Sequence, residues 1–142
     1  MEDRVAAPDA PDFSRFMGFR VVDAGKGTAR LTMELREEFR NPGRVAHGGV
    51  LASFLDTALA AAVITTLRKD ERCATIQLDL HFLRPAIDGP LVASTRVTRR
   101  TRRFAFVAGE VTDTRGAPLL RGQGIWFVGD HLAGTKPRAA GP

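Results

Sequence analysis

The chain has 142 residues, of which 44% are hydrophobic and 26% are charged. This length and composition predict one globular domain with a real core, and they exclude a disordered chain. Its 21 Lys and Arg residues exceed its 16 Asp and Glu residues, and the resulting net charge of +5 suits an anionic partner such as nucleic acid, a membrane surface or a phosphorylated cofactor.

Cys73 is the only cysteine, which excludes an intrachain disulfide and a CxxC metal or redox site. The N-terminal residues are acidic and Pro-rich and do not resemble a signal peptide, so a cytoplasmic location is expected. Both ends are rich in Ala and Pro and lack periodicity. This predicts flexible tails at residues 1–11 and 131–142 and one domain over residues 12–130.

Two strands are predicted first along the domain, at Phe19–Ala24 and Thr28–Glu37, and the turn Gly25-Lys26-Gly27 joins them into a hairpin. The apolar residues of the second strand alternate and share one face: Ala29, Leu31, Met33 and Leu35. The tripeptide Asn41-Pro42-Gly43 then breaks the chain.

The only long helical candidate follows, from His47 to about Thr66. Its apolar stretch Val50–Leu67 is long enough to be tested as a membrane span. Asp56 argues against that interpretation, because an ionised residue in the middle of a span is costly in lipid. A helix that is apolar nearly all round is instead expected to be buried.

Four further strands are predicted after the helix. Apolar residues recur with period two in the first of them, where Ile76, Leu78, Leu80 and Phe82 share a face. The four strands are Thr75–Leu83, Leu91–Arg100, Arg103–Asp113 and Leu119–Val128. The order strand, strand, helix, four strands predicts an α+β fold in which an antiparallel sheet of about six strands curls around the helix.

The start of the helix is a candidate oxyanion site. The first backbone N–H groups of a helix have no intrahelical partner and form a partial positive end. Gly48 and Gly49 carry no side chain that would keep a carbonyl group away from those donors. The alternative is that the two glycines serve only the tight packing of the helix on the sheet.

Asp56 is the only charged residue between His47 and Thr66. Burial without a partner would raise its pKa and neutralise it, so the carboxyl group either has a satisfied structural role or opens into a polar pocket. In such a pocket the carboxylate suits a reaction with water, as a general base or as a nucleophile.

A family resemblance appears at Asn41–Asp56, NPGRVAHGGVLASFLD, where Asn41 lies six residues before His47 and Asp56 nine after it. This stretch strongly resembles the helix-opening motif of hotdog-fold acyl-CoA thioesterases, in particular the PaaI-like, phenylacetate-degradation branch. Leu78–Ala86 resembles the third strand of that family with its terminating proline, and Gly116–Phe127 resembles its last hairpin. The resemblance covers residues 13–128.

The resemblance implies roles for five residues. The Gly48 N–H would polarise the thioester carbonyl, and Asp56 would act as the general base or the nucleophile. Asn41, His47 and Thr75 would hold the acid, the water or the thioester. Each of these three also has an ordinary structural interpretation: Asn41 in a turn, His47 in a helix cap or the interior, and Thr75 as a strand residue.

The implied substrate is an aromatic or short- to medium-chain acyl-CoA, and neither a metal ion nor a cofactor is expected besides the coenzyme A of the substrate. A thioester suits a lone carboxylate, because a thiol with a pKa of about 8.5 leaves without protonation. Gly49 and four arginines are expected to bind substrate, since guanidinium groups bind phosphates bidentately. The four arginines, which would otherwise form a solvated hairpin tip, are Arg99, Arg100, Arg102 and Arg103.

Three residues besides these candidates are expected to have no role in catalysis. Cys73 has no base nearby and is not expected to be a nucleophile, while His81 and His131 match no functional position. The expected lining of the acyl pocket is Phe54, Leu59, Phe82 and Trp126. No nucleic-acid-binding signature is present, and neither nucleic acid nor a membrane is expected as a partner.

The predicted sheet would leave a strand edge open, and exposed edges are usually paired or covered. The resemblance implies a homodimer with a continuous sheet, in which Asn41, His47 and Gly48 of one chain face Asp56 and Thr75 of the other, and a homotetramer built from two such dimers. The alternative functions are a catalytically silent acyl-CoA-binding protein or sensor and a hotdog dehydratase, whose usual His-containing signature differs from His47-Gly48-Gly49.

Overall fold

A computed structural model describes residues 12–130 of the chain. The predicted tails, and His131 with them, lie outside the described residues. The helices are α1 (Phe13–Met17) and α2 (Gly48–Ile64), with a 3-10 turn at Glu37–Phe39 between them. The strands are β1 (Arg20–Gly25), β2 (Thr28–Met33), β3 (Arg72–Phe82), β4 (Leu91–Arg100), β5 (Phe104–Thr112) and β6 (Pro118–Gly129).

The six strands form one sheet in the order β1-β2-β4-β5-β6-β3, and every neighbouring pair is antiparallel. Helix α2 contacts all six strands, so the sheet curves around it. This arrangement confirms the predicted α+β hotdog architecture of one sheet on one long helix.

Helix α2 is fixed to the sheet by apolar packing and by one buried hydroxyl. Phe54, Leu55 and Leu59 are fully buried against the sheet, and burial of such side chains contributes about 1.5–3 kcal/mol each. The buried Thr95 on β4 donates a hydrogen bond of 2.8 Å to the Ala58 carbonyl of the helix. These contacts determine which face of α2 is turned away from the sheet.

A glycine on β6 lets the helix approach the sheet closely just before Asp56. A Cβ atom at Gly122 would lie 2.8 Å from a methyl group of Leu55 and 2.7 Å from a methyl group of Leu80. A larger residue would therefore push α2 away from β3 and β6. Because Asp56 follows Leu55 directly, this close approach sets the distance between Asp56 and β3.

Helix α2 is less enclosed than its apolar sequence predicts. The side turned away from the sheet carries Gly49, Ser53, Asp56 and Ala60, all partly or fully exposed. The expectation of a helix buried all round therefore holds only for the side that packs on the sheet. Within residues 12–130 no helix has the length and apolarity that crossing a membrane requires.

Strand β3 forms one edge of the sheet, and the alternation predicted for it fails at a bulge. Thr75 pairs with Trp126 and Gln77 pairs with Ile125, so Ile76 is an extra residue in the ladder. Ile76 is 54% exposed and does not share the inner face with Leu78 as predicted. The bulge keeps Thr75 on the inner face, toward α2.

Two other local predictions differ from the structure. Strand β2 ends at Met33 rather than Glu37, because the chain turns into a 3-10 segment that buries Phe39. Helix α1 was not predicted, although its signals are present in the sequence. The Asp12 side chain caps its first turn by accepting a hydrogen bond of 2.8 Å from the Arg15 N–H, and Gly18 ends the helix with a φ of 77°.

Candidate active site

The N-terminus of α2 presents one free backbone donor. His47 is the N-cap, and its Nδ1 accepts a hydrogen bond of 2.8 Å from the Gly49 N–H. No atom of residues 12–130 accepts a hydrogen bond from the Gly48 N–H. Gly49 is expected to bind substrate, but its N–H is used by the cap, and Gly48 carries the donor that remains.

The cap also determines which nitrogen of His47 is available. Because Nδ1 accepts a hydrogen bond, the proton of the neutral ring is on Nε2. The His47 side chain is exposed, so this second nitrogen faces outward as a donor. The capping role, one of the interpretations left open for His47, is thus present in the structure and leaves Nε2–H free for a ligand.

Asn41 lies in the loop that leads into α2, and its side chain closes the turn. Its Oδ1 accepts a hydrogen bond of 3.4 Å from the Val45 N–H, and its own N–H donates to the Val45 carbonyl at 2.8 Å. The loop is anchored by Arg40, which sequence analysis did not single out: Arg40 Nη1 donates to the carbonyls of Arg44, at 2.9 Å, and Ile87, at 2.6 Å. The carboxamide nitrogen of Asn41 has no partner among the described residues.

Asp56 and Thr75 are brought together by α2 and β3. The Thr75 hydroxyl donates to Oδ1 of Asp56 at 3.0 Å. This contact leaves Oδ2 without a partner in the described part of the chain, and the carboxyl group is only half-buried. The acid is therefore held from one side and open on the other.

The pKa of Asp56 is raised from its ordinary value of 3.8, because burial disfavours the carboxylate more than the hydrogen bond from Thr75 favours it. A carboxylate with a raised pKa is a stronger base near neutral pH. Cys73, two residues before Thr75, has its pKa raised to about 11 by burial, with opposing contributions from Arg100 and Asp56. Its thiol is protonated near neutral pH, in line with the prediction that it is not a nucleophile.

The donor and the acid are far apart within one chain. Gly48 and Asp56 are eight positions apart on a continuous helix, which is ~12 Å along its axis at 1.5 Å per residue. A single carbonyl group cannot reach both groups at once. The structure therefore contains two half-sites, one at Gly48 with His47 and Asn41, and one at Asp56 with Thr75.

The four arginines predicted to bind phosphate divide into three environments. Arg100 is engaged: its Nε donates to the Thr66 hydroxyl at 3.1 Å and its Nη2 pairs with Glu71 at 3.2 Å. Arg99 is exposed and lies opposite Phe106 on the outer face of the sheet.

Arg102 and Arg103 line a cleft of about 390 Å³ beyond the C-terminal end of α2. The other residues of this cleft are Arg68, Lys69, Asp70, Glu71, Val128, Gly129 and Asp130. The cationic groups Arg68 and Lys69 were not predicted from the sequence, because the loop before β3 meets the β4–β5 hairpin only in the folded chain. Within residues 12–130, no three His, Cys, Asp or Glu side chains are grouped as a metal site requires.

The predicted lining of the acyl pocket is mostly core. Phe54, Leu59 and Trp126 are at most 1% exposed and pack inside the sheet, so they do not line an open pocket. Phe82 differs, because 55% of its side chain is exposed. Its ring lies beside Gly48, where a Cβ atom would be 3.5 Å from Cε1 of the ring.

Comparison with known proteins relates the chain to thioesterases. The thioesterase superfamily model matches residues 43–119. A protein of Sulfurisphaera tokodaii named "Putative esterase" is 31% identical over 114 residues, which are 80% of this chain and 84% of that protein.

Two solved structures extend the comparison. A phenylacetic acid degradation-related protein of Ralstonia eutropha JMP134 superposes with a TM-score of 0.78 and 28% identity, over 84% of this chain and 93% of that one. A Bacillus halodurans protein crystallised with CoA gives a TM-score of 0.68 and 26% identity, over 70% of this chain and 66% of that one.

Proposed function

The chain belongs to the thioesterase superfamily and is a thioester hydrolase, and we propose that its substrates are aromatic or short- to medium-chain acyl-CoA thioesters. The observation that carries the reaction is the pair of half-sites, a free N–H at Gly48 and a half-buried carboxyl group at Asp56 with a raised pKa. The reaction as proposed uses no cofactor. We place it in the cytoplasm, because the chain has one cysteine and so no intrachain disulfide that would need an oxidising compartment.

The two groups supply complementary parts of thioester hydrolysis. The Gly48 N–H donates to the carbonyl oxygen and stabilises the negative charge that develops there in the tetrahedral intermediate. The Asp56 carboxylate either takes a proton from the attacking water or attacks the carbonyl carbon itself to form a mixed anhydride that water opens. The leaving thiolate needs no general acid, because its conjugate thiol has a pKa of about 8.5.

A dimer joined through β3 would bring the half-sites together. The edge of β3 has no strand partner within residues 12–130, and an edge of eleven residues invites pairing with another chain. The Thr75 hydroxyl bonds to Asp56, and the Phe82 ring lies beside Gly48. These two residues of β3 are seven positions apart, roughly 20 Å at about 3.3 Å per residue.

Antiparallel pairing about a two-fold axis between Leu78 and Asp79 would therefore place Phe82 of one protomer beside Thr75 of the partner subunit. Gly48 would then face Asp56 of the partner subunit across the new interface. The proposed site is shared, with Asn41, His47 and Gly48 from one chain and Asp56 and Thr75 from the other. We propose further that two such dimers associate into a homotetramer.

Release of free thiol from acyl-CoA tests the proposed function directly. A panel of phenylacetyl-, hydroxybenzoyl-, short-chain and medium-chain CoA thioesters, with one acyl carrier protein thioester, identifies both the acyl group and its carrier. Steady release of CoA from at least one CoA thioester is expected. Binding of acyl-CoA without thiol release would contradict the proposal and indicate a silent binding protein.

The cleft lined by Arg102 and Arg103 is the proposed site for the phosphates of coenzyme A. The double variant Arg102→Gln/Arg103→Gln should raise KM for acyl-CoA about tenfold, which corresponds to the loss of one charge-assisted hydrogen bond of about 1.5 kcal/mol. The same variant should leave KM for a phosphate-free pantetheine thioester nearly unchanged.

Arg99→Gln is the matched control, because Arg99 is also exposed but lies on the outer face of the sheet and does not line the cleft. Arg100 is unsuitable for this test, since its replacement would also break the contacts with Thr66 and Glu71. Equal losses on both substrates in the double variant would count against phosphate binding in the cleft.

A further inference from the structure

We infer that Phe82 determines the acyl selectivity of the enzyme by packing its ring against the acyl group of the bound thioester, an inference that rests on the proposed function. The residue has two properties that no other aromatic residue near the half-sites combines. Its ring lies beside Gly48, and more than half of its side chain remains exposed in the chain described by the structure.

The proximity of the Phe82 ring to Gly48 defines where the ring lies relative to the carbonyl donor. Cε1 and Cζ of Phe82 lie 3.5 and 3.7 Å from the point where a Gly48 Cβ would be. That point is about 2.5 Å from the Gly48 nitrogen, given the bond lengths and angles of the backbone. A carbonyl oxygen that accepts a hydrogen bond from this N–H lies about 2.9 Å from the nitrogen. The two groups attached to the carbonyl carbon are therefore close to the ring.

The chemistry of the surroundings indicates which substituent faces Phe82. The pantetheine arm contains amides that need hydrogen-bond partners, and an apolar ring leaves them unsatisfied. Ile87 is a second exposed apolar side chain near this helix start. Its neighbour Ala86 accepts a hydrogen bond of 2.9 Å from the N–H of Ala46, which comes just before His47 and Gly48. The cleft lined by Arg102 and Arg103, in contrast, lies beyond the opposite end of α2.

Burial excludes the other residues that were predicted to line the acyl pocket. Phe54, Leu59 and Trp126 belong to the core and cannot touch a ligand without rearrangement of the sheet. In the proposed dimer, Phe82 also faces Thr75 of the partner subunit, so its ring lies where the two half-sites meet. A planar or bulky acyl group would bury against this ring, whereas a small acyl group would leave most of it uncovered.

Comparison of an aromatic and a small acyl group on the same carrier tests this inference. Phe82→Leu should lower kcat/KM for benzoyl-CoA about fivefold more than for acetyl-CoA, because it removes the aromatic face and keeps most of the apolar volume. Phe82→Tyr, which keeps the ring, should retain the ratio of the wild-type protein. Phe16→Leu is the control for the substitution itself, since Phe16 is 72% exposed on α1.

The outcomes separate this inference from the proposed function. Equal losses on both substrates in Phe82→Leu would overturn the inference and would indicate that the ring contacts pantetheine or supports the helix start. Wild-type kcat/KM values for both substrates in Phe82→Leu would overturn it as well. Failure of the wild-type protein to hydrolyse any CoA thioester would contradict the proposed function, before any variant is compared.

Discussion

Asp56→Asn is expected to lower kcat by at least ~10², the lower range for the loss of acid–base catalysis, because a carboxamide neither accepts a proton from water nor attacks the carbonyl carbon. The shape of the side chain is kept, and the Asn Oδ1 still accepts the hydrogen bond that Thr75 donates in the wild-type protein at 3.0 Å. Steady-state hydrolysis of the best substrate measures the loss.

The stability of this variant provides the control for folding. The raised pKa means that the folded chain binds the Asp56 proton more tightly than the unfolded chain, so the ionised carboxylate costs folding free energy at pH values above that pKa. Asp56→Asn should therefore have a Tm at neutral pH no lower than that of the wild-type protein. A folded variant with near wild-type turnover would refute the role of Asp56.

The pH profile is a second readout of the same assignment. The active form of Asp56 is ionised, so kcat/KM should fall as the pH decreases through the pKa of this group. Because burial raises that pKa, the acid limb should lie above the ordinary value of 3.8. An acid limb at or below the ordinary value would show that another group controls the reaction.

Gly48→Pro is expected to lower kcat by about 10²–10³, the usual cost of losing one oxyanion donor, because proline has no backbone N–H. The fold should tolerate this change. Gly48 is the first residue of α2, where proline is favoured, and His47 has φ −60° and ψ 134°, the extended conformation that a residue before proline adopts.

Gly48→Ala is the matched control for the proline variant, because it adds a Cβ atom and keeps the N–H. The nearest atom to that Cβ is Cε1 of Phe82 at 3.5 Å, an ordinary van der Waals distance, so the substitution introduces no clash. The alanine variant should lose less activity than the proline variant, because it keeps the donor and adds only one methyl group beside the approaching carbonyl. A similar loss in both variants would show that bulk at position 48, and not the missing donor, inhibits the reaction.

The strands and the long helix could be predicted because their burial pattern is local. Strand β4 was predicted with the bounds that the structure has, since Leu91, Ala93 and Thr95 alternate without interruption and all three are buried. The bulge at Ile76 could not be predicted in this way. An extra residue in one strand is a property of the pair β3–β6, and nothing in the β3 sequence marks it.

The candidate site could be predicted only as far as its residues share a segment or a family motif. The cap by His47 and the free Gly48 N–H follow from helix geometry, which the sequence of the loop and helix indicates. The engagement of Arg100 by Glu71 depends on a contact between residues 29 apart in the chain. The burial of Phe54 and Trp126 likewise depends on how the sheet closes on the helix, so the alternation that identifies apolar residues does not separate core from pocket.

The shared active site is tested most directly by mixing Asp56→Asn and Gly48→Pro, each inactive alone, under conditions that unfold and refold both chains. In a mixed dimer one site combines the intact Gly48 of one chain with the intact Asp56 of its partner, and the other site has both defects. Random assortment makes half of the dimers mixed, so the refolded mixture should regain about a quarter of wild-type activity. Activity no higher than that of the separate variants, despite mixed dimers verified by native mass spectrometry, would contradict the shared site.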